Sequence, residues 1–202
     1  MVKLILSIIV TNILVFQNLS ARTIVVKKDR TIKIDGVIYN LQKQSKSIIE
    51  WTKKNKDPIF VIINSTGGSV IDGITFMQAI DRVKARGVKV YCIVTGMAMS
   101  MATHILSACN YRYAMPTSLV MWHPMAVNAS SLKLTIKTTG HLNKQMKLLS
   151  TYLDKRLKAA LNISEKKYRE FEEGEYIVFA YDLKTKIAPK FLSIVKDLRI
   201  TK

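Results

Sequence analysis

Cysteine, proline and glycine are scarce in this chain of 202 residues, which contains 2 Cys, 4 Pro and 8 Gly. The scarcity of Gly and Pro excludes collagen-like and low-complexity classes, and no stretch resembles a flexible linker between domains. The length corresponds to about one domain. Cys92 and Cys109 both lie in apolar surroundings, so we predict two buried free thiols rather than a disulfide.

Acidic residues are scarce as well, since 14 Asp and Glu stand against 32 Lys and Arg, a formal net charge of +18. Such an imbalance is typical of proteins that bind nucleic acid, anionic membranes or acidic partners. The basic residues form no Arg-rich run interleaved with aromatics, so the charge alone does not identify a partner. With 49% hydrophobic and 23% charged residues, the composition is that of a globular protein and excludes intrinsic disorder.

The first 21 residues have the three parts of a secretory signal peptide: Lys3, the apolar run Leu4–Phe16, and the small residue Ala21. The run is shorter than the roughly 20 apolar residues of a membrane-spanning helix. We predict that residues 1–21 are a cleaved export signal, with an uncleaved anchor or a buried segment as alternatives, and that residues 22–202 form one domain. Cleavage implies a periplasmic or secreted protein, whereas retention of the segment implies a cytoplasmic or membrane-associated one.

Strands and helices alternate along the rest of the chain. We predict paired strands within Thr23–Ile34 before an Asp35-Gly36 turn, a helix at Val37–Lys53, strands at Ile59–Ile63, Val88–Thr95 and Leu119–Trp122, helices at Ile71–Val83 and Ser100–Cys109, and an amphipathic helix around Leu142–Leu157. This order implies an α/β fold whose parallel strands are joined by right-handed crossovers. The active site is then expected at the carboxyl ends of the strands.

Two side chains at that edge suit nucleophilic catalysis. Ser100 lies where a strand turns into a helix, and His123 directly follows the next predicted strand. A serine in such a turn exposes its hydroxyl, and a histidine at the end of a neighbouring strand can accept its proton. The alternative is that Ser100 caps the helix and that His123 is structural.

Gly67 and Gly68 follow another buried strand. Two consecutive glycines allow the backbone to present N–H groups to an anion, as an oxyanion hole requires. The GK[ST] end of a phosphate-binding loop is absent. A tight turn without catalytic function is the alternative.

Three blocks carry a resemblance to a known family: Ile63-Asn64-Ser65-Thr66-Gly67-Gly68-Ser69-Val70, Gly96-x-Ala98-x-Ser100-Met101 and Met121-Trp122-His123-Pro124. In order and spacing they resemble the signature blocks of the Clp protease proteolytic subunit family, over roughly Thr23 to Pro189. The resemblance implies a serine endopeptidase with a Ser-His-acid triad on an α/β, crotonase-like spiral of ββα units. It also implies a strand and long helix, about Asn128 to Leu161, that form a handle by which subunits assemble into homo-oligomeric rings.

The resemblance assigns roles by position. Ser100 is the nucleophile, His123 is the general base, the N–H groups of Gly68 and Met101 form the oxyanion hole, and the backbone near Ser69 and Val70 binds the extended substrate. No metal or organic cofactor is implied. The substrate is a peptide or an unfolded protein, and a Clp-type ATPase unfoldase is a partner only if the protein is cytoplasmic.

The acid departs from the family pattern, which has an aspartate where this chain has Glu175; Glu173 is the second candidate and a solvated acidic face the third. Thr66 replaces the usual proline before the glycines, and Lys186-Ile187-Ala188-Pro189 replaces the usual Gly-Leu-Ile-Asp run. His104 takes a position that is usually apolar, and we predict a structural role for it.

Three other functions remain open. A catalytically silent ring subunit would keep the fold and the assembly without a productive acid. An acyl-CoA enzyme would use the same scaffold without a Ser-His pair, and the presence of Ser100 and His123 argues against it. A basic nucleic-acid-binding protein would account for the charge alone, although the motifs do not lead us to expect nucleic acid as a partner.

Overall fold

The computed structural model describes residues 23–125, 136–173 and 177–201. The predicted export signal at residues 1–21 lies outside these residues. The strands are β1 Thr23–Lys27, β2 Thr31–Ile38, β3 Ile59–Gly68, β4 Val90–Met99, β5 Tyr111–Ala114, β6 Leu119–Met121, β7 Ile177–Phe179, β8 Ser193–Ile194 and β9 Asp197–Thr201. The helices are α1 Gln42–Lys54, α2 Val70–Ala85, α3 Met101–Ala108, α4 Ile136–Leu161 and α5 Glu165–Glu173, and Ala180–Asp182 and Leu183–Ile187 form helical turns.

The central sheet confirms the predicted α/β fold. Its strands run in the order β2-β3-β4-β5-β8, all parallel, and β6 pairs in parallel with the end of β4. Strand β6 also pairs with β7, in antiparallel orientation. Because α1, α2 and α3 return the chain from one parallel strand to the next, the carboxyl ends of β3, β4 and β6 meet at one edge.

Burial explains why the two central strands read as continuous apolar runs. Ile59, Val61 and Ile63 of β3 are all 0% exposed, as are Val90 and Val94 of β4. Strands of a parallel sheet that is covered on both faces lose the alternation of apolar and polar residues. The core of the molecule lies around these strands and under α2 and α3.

Long-range pairing corrects the prediction for the first two strands. They do not pair with each other, because β1 pairs in parallel with the C-terminal strand β9, and β2 pairs with β3. The predicted turn at Asp35-Gly36 lies inside β2, where the register with β3 shifts between Asp35 and Val37 and Gly36 has φ 73°. A bulge and a turn call for the same residue types, since both need a positive φ.

Two glycine-containing segments that were expected to end strands are parts of strands. β3 continues through Gly67-Gly68 and β4 continues through Gly96 to Met99. A side chain at Gly96 would meet the Asn64 side chain, whose Oδ1 lies 2.3 Å from the ideal Cβ position. A larger residue at this position would therefore have to displace the Asn64 side chain.

The cysteine prediction is wrong in this structure. Cys92 and Cys109 are joined in a disulfide, and no free cysteine is found in the described part of the chain. Cys92 is 0% and Cys109 2% exposed, so the predicted burial is confirmed while the free thiols are not.

The long helix α4 packs its apolar stripe on the rest of the domain through Leu153, Leu157 and Leu161, which are at most 3% exposed. Arg156 connects it to α2 by hydrogen bonds of 2.5 and 3.0 Å to the two carboxylate oxygens of Asp81. The strand portion of the predicted handle, before residue 136, lies outside the described residues. Among the helices described, none has the length and apolar content needed to cross a membrane.

Candidate active site

Ser100 occupies the junction of β4 and α3 in an unusual backbone conformation, with φ 52° and ψ −123°. Its N–H donates to the Met121 carbonyl at 2.9 Å, and its carbonyl accepts from the Thr103 N–H at 3.0 Å. Its side chain does not cap the helix, so the capping alternative does not describe this structure. A positive φ in a non-glycine residue is strained and persists where surrounding contacts enforce it.

Thr103 contributes contacts that hold Ser100 in this conformation. Its hydroxyl lies 2.6 Å from both the Ala98 and the Met121 carbonyl oxygens, and its side chain is fully buried. One hydroxyl thus connects the end of β4, the end of β6 and the first turn of α3. This arrangement fixes the direction in which Ser100 points.

The imidazole of His123 faces the Ser100 hydroxyl. His123 Nε2 lies 2.9 Å from Ser100 Oγ, and Nδ1 lies 2.7 Å from the Pro124 carbonyl oxygen. A carbonyl can only accept, so Nδ1 carries the proton and Nε2 presents its lone pair to the serine. This is the tautomer that a general base for the hydroxyl requires.

Trp122 holds the histidine-bearing segment against the core. It is 1% exposed and packs against Tyr168 and Phe171 of α5, with ring centroids 6.1 and 5.5 Å away. Because His123 follows directly, α5 helps to position its imidazole.

The glycines lie beside the serine. Gly67 has φ 93°, and an added Cβ would lie 2.7 Å from both the Met99 carbonyl oxygen and Ser100 Cβ. Its N–H donates to the Ser65 hydroxyl at 3.1 Å. Gly68 has φ 144°, and together with Met101 it lines the same pocket as Ser100 and His123. The two predicted oxyanion donors therefore border the cavity that contains the serine hydroxyl.

Ser69 and Val70, the two residues whose backbone was predicted to bind the substrate, differ in their hydrogen bonding and in their position at the pocket. The Ser69 N–H donates to the Ile38 carbonyl at 2.9 Å, and its hydroxyl accepts from the Asp72 N–H at 3.2 Å, capping α2. Val70 lines the pocket. Since the Ser69 N–H already has a protein partner, Val70 is the better placed of the two for contact with a substrate.

The predicted acid is not located. Glu175 lies outside the described residues, and Glu173 ends α5 with an exposed side chain. In the described part of the chain, the partner of His123 Nδ1 is the Pro124 carbonyl. The assignment of the acid stays a prediction.

The sequence reasoning missed a second group of polar residues at the pocket. Ser150 and Asp154 of α4 line it together with His104 of α3. Asp154 accepts hydrogen bonds from the Ser150 hydroxyl at 3.1 Å and from the Tyr168 hydroxyl at 3.0 Å. One sequence signal was present, because Asp154 is the only acidic residue in a helix of 26 residues that carries several Lys and Arg.

His104 is a buried residue of this pocket lining. It is 7% exposed, and its Nδ1 has no hydrogen-bond partner among the described residues. Burial lowers the pKa of His104 to about 4, although the nearby Asp154 acts in the opposite direction. The imidazole is therefore neutral at pH 7.

Comparison with known proteins identifies a family. The family model described as Clp protease matches residues 17–171, a span that holds Ser100, His123 and both glycines but ends before Glu173 and Glu175. The ATP-dependent Clp protease proteolytic subunit of Ligilactobacillus salivarius (strain UCC118) is 31% identical over 134 residues.

That alignment covers 62% of this chain and 66% of the relative, so the chain spans slightly less than two thirds of that relative's length. The parallel sheet, the serine at the end of β4 and the histidine after β6 occur within a family match that covers more than half of the sequence. On these grounds the chain belongs to the Clp protease family.

Proposed function

We propose that this protein is a serine endopeptidase that hydrolyses bonds in peptides or unfolded proteins. The observation that carries the proposal is the hydrogen bond of 2.9 Å between Ser100 Oγ and His123 Nε2 at the carboxyl edge of the sheet. The nucleophile and the base lie within the distance that proton transfer needs.

In the proposed reaction, Nε2 of His123 takes the hydroxyl proton while Ser100 Oγ attacks the scissile carbonyl carbon. The carbonyl oxygen becomes an oxyanion beside Gly68 and Met101, where backbone N–H groups stabilise its charge. The imidazolium then gives its proton to the leaving amine, and an acyl-enzyme remains. Water, deprotonated by His123, attacks that ester and releases the acid product with regeneration of the serine.

The Pro124 carbonyl contributes to this cycle from the opposite side of the ring. By accepting the Nδ1–H at 2.7 Å, it favours the productive tautomer and orients the imidazole. Glu175 remains our proposed acid, because a carboxylate stabilises the imidazolium better than a neutral carbonyl does.

Ser100→Ala tests the nucleophile, and Ser193→Ala, at an exposed serine of β8, is the matched control. We expect Ser100→Ala to lose labelling by a fluorophosphonate probe and to lower hydrolysis of a fluorogenic peptide by at least about 1,000-fold. The control should behave as the parent protein. Equal cleavage by Ser100→Ala and the parent would refute the assignment.

A catalytically silent ring subunit is the second candidate. It is favoured by the neutral partner of His123 Nδ1, since Pro124 supplies a carbonyl and not a carboxylate. Under this alternative, the parent protein fails to react with the fluorophosphonate although it forms a ring in size-exclusion chromatography.

The assembly and the compartment are proposals as well. We propose that α4 contributes to a homo-oligomeric ring, and that a Clp-type ATPase supplies unfolded substrates only if the protein is cytoplasmic. Sequencing the mature N-terminus decides between the two compartments. A chain that begins near Arg22 indicates export, whereas an intact Met1 or Val2 indicates a cytoplasmic or anchored protein.

A further inference from the structure

The pocket beside the catalytic pair has a negatively charged end. Asp154 lines it, and both of its carboxylate oxygens accept hydrogen bonds from neutral hydroxyl groups, those of Ser150 and Tyr168. Tyr168 is 1% exposed, and burial raises the pKa of its phenol, which therefore stays a neutral donor. Asp154 thus has hydrogen-bond donors but receives no compensating charge from them.

In the described part of the chain, Asp154 forms no salt bridge with a lysine or an arginine. Burial keeps His104 neutral, with a pKa lowered to about 4. Arg169 directs its guanidinium to Glu172 at 2.5 Å and to Glu165 at 3.0 Å. None of the described residues that line the pocket is a lysine or an arginine, although the chain as a whole has 32 of them.

Glu172 is a second carboxyl group close to Asp154, and it does not itself line the pocket. It is 3% exposed, and burial together with the neighbouring Asp154 raises its pKa, against the effect of Arg169. A raised pKa for a buried carboxyl beside a second one is the behaviour expected where negative charge accumulates. Arg169 already pairs with Glu172, so Asp154 is the member of this carboxyl pair that lines the pocket and is open to a cationic ligand.

The remaining walls suit an alkyl chain. Val70, Met101, Met125 and Leu153 line the same pocket as Ser100 and Asp154. Lysine and arginine side chains combine an apolar stem with a charged end, so they match a pocket that offers both apolar walls and a carboxylate.

The unpartnered nitrogen of His104 provides an independent indication of a ligand. His104 is buried, lines the same pocket, and leaves Nδ1 without a hydrogen-bond partner in the described part of the chain. A buried acceptor without a donor costs about 1–3 kcal/mol in general. An ammonium or guanidinium group bound at Asp154 offers additional N–H donors to such an acceptor.

We propose that Asp154 makes this enzyme select a basic side chain, lysine or arginine, for the substrate residue whose carbonyl Ser100 attacks. This inference rests on the proposed peptidase function and adds the substrate class to it. Asp154 acts as a specificity residue, and His104 and Ser150 complete the polar end of its pocket.

Binding without turnover tests the inference separately from catalysis. In the Ser100→Ala protein, two peptides that differ only in lysine or norleucine at the position before the scissile bond are titrated by calorimetry. Norleucine keeps the apolar stem and lacks the charge. We expect the lysine peptide to bind about 10- to 100-fold more tightly, the range typical of a charged hydrogen-bonded contact.

Asp154→Asn, added to that protein, should reduce the preference to less than about 3-fold, because it removes the charge. The amide oxygen keeps an acceptor for one of the two hydroxyl groups of Ser150 and Tyr168, and the amide NH2 can donate to the oxygen of the other. Asp57→Asn is the matched control. Asp57 pairs with Lys27 at 3.2 Å and precedes the first residue of β3, whereas the pocket lies at the carboxyl end of that strand. This variant should keep the full preference. Circular dichroism and the thermal midpoint verify that each variant is folded.

Turnover of the same two peptides by the otherwise unaltered protein completes the test. Cleavage with equal kcat/KM for lysine and norleucine, or equal binding of both, would overturn the inference and leave the peptidase function standing. Absence of any cleavage together with an Asp154-dependent binding preference would refute the peptidase function and support the pocket assignment. Failure of both peptides to bind would overturn the inference.

Discussion

His104 shows how burial changes the chemistry of a single side chain. The sequence indicated a structural histidine at a position one helical turn beyond Ser100. The structure places it at 7% exposure among the residues that line the pocket, which also include Asp154 and His123. Its structural role stays a prediction, and its low pKa has a measurable consequence.

We predict that His104 destabilises the folded protein as pH falls. Burial lowers its pKa from 6.5 to about 4, so between these values the unfolded chain binds a proton that the folded chain does not. Stability then decreases with acidification. Relative to His104→Gln, the parent should lose up to about 3 kcal/mol of unfolding free energy between pH 7 and pH 4, measured by urea denaturation.

The exposed His141 of α4 provides the control. His141→Gln should leave the pH dependence of the unfolding free energy as it is in the parent. A difference between the parent and His104→Gln that stays constant from pH 7 to pH 4 would contradict the buried neutral imidazole.

At the scale of the element, the ends of β3 and β4 determine where the serine lies. Gly67 packs against the Ser100 backbone turn, and Thr103 ties that turn to β6. These contacts connect three strand ends in one unit. A disturbance of one strand end should therefore move Ser100.

We predict that Gly67→Ala impairs both folding and activity. The new Cβ would lie 2.7 Å from the Met99 carbonyl oxygen at φ 93°, so the backbone must shift. We expect a loss of about 2–4 kcal/mol in unfolding free energy and about a 100-fold loss in kcat/KM for a fluorogenic peptide.

Gly140→Ala is the matched control, because Gly140 lies in α4 and an added Cβ would meet nothing within 4 Å. Alanine is the better helix former, so this variant should gain up to about 1 kcal/mol with normal activity. Equal stability and activity for both variants would show that the contact of Gly67 with the serine turn is unimportant.

At the scale of the whole molecule, the net charge of +18 and the acidic end of the pocket have opposite signs. The net charge acts on a substrate over a Debye length of about 8–10 Å in physiological salt. The carboxylate in the pocket acts only on a group that is in contact with it. Acidic substrates are therefore attracted to the protein in general, whereas the proposed pocket selects a basic residue within them.

We predict that salt separates these two effects. For two peptides with the same lysine at the cleavage site, kcat/KM of the one with distant Asp and Glu residues should fall about 3- to 10-fold between 25 and 250 mM NaCl. The peptide with neutral flanks should change by less than about 2-fold. Equal salt dependence of both would mean that the positive charge does not steer substrates.

The local pattern of the sequence was sufficient for most of the fold. Apolar runs predicted the strands β3, β4 and β6, and their alternation with helices predicted parallel pairing, because both patterns depend on near neighbours and on burial. The partner of β1 could not be predicted in this way, since β9 lies at the other end of the chain. The bulge at Gly36 and the disulfide were missed because their signals are shared with turns and with buried thiols.

The sequence by itself determined that a serine and a histidine follow neighbouring parallel strands, and that identified the candidate site. Only the tertiary structure showed that Nε2 and Oγ lie 2.9 Å apart and that α4 brings Asp154 to the same pocket. The physical reason is that strand order follows from local periodicity and chain connectivity. The charge within a pocket depends on which distant side chains are packed together. It depends also on which of these side chains has no group of opposite charge nearby.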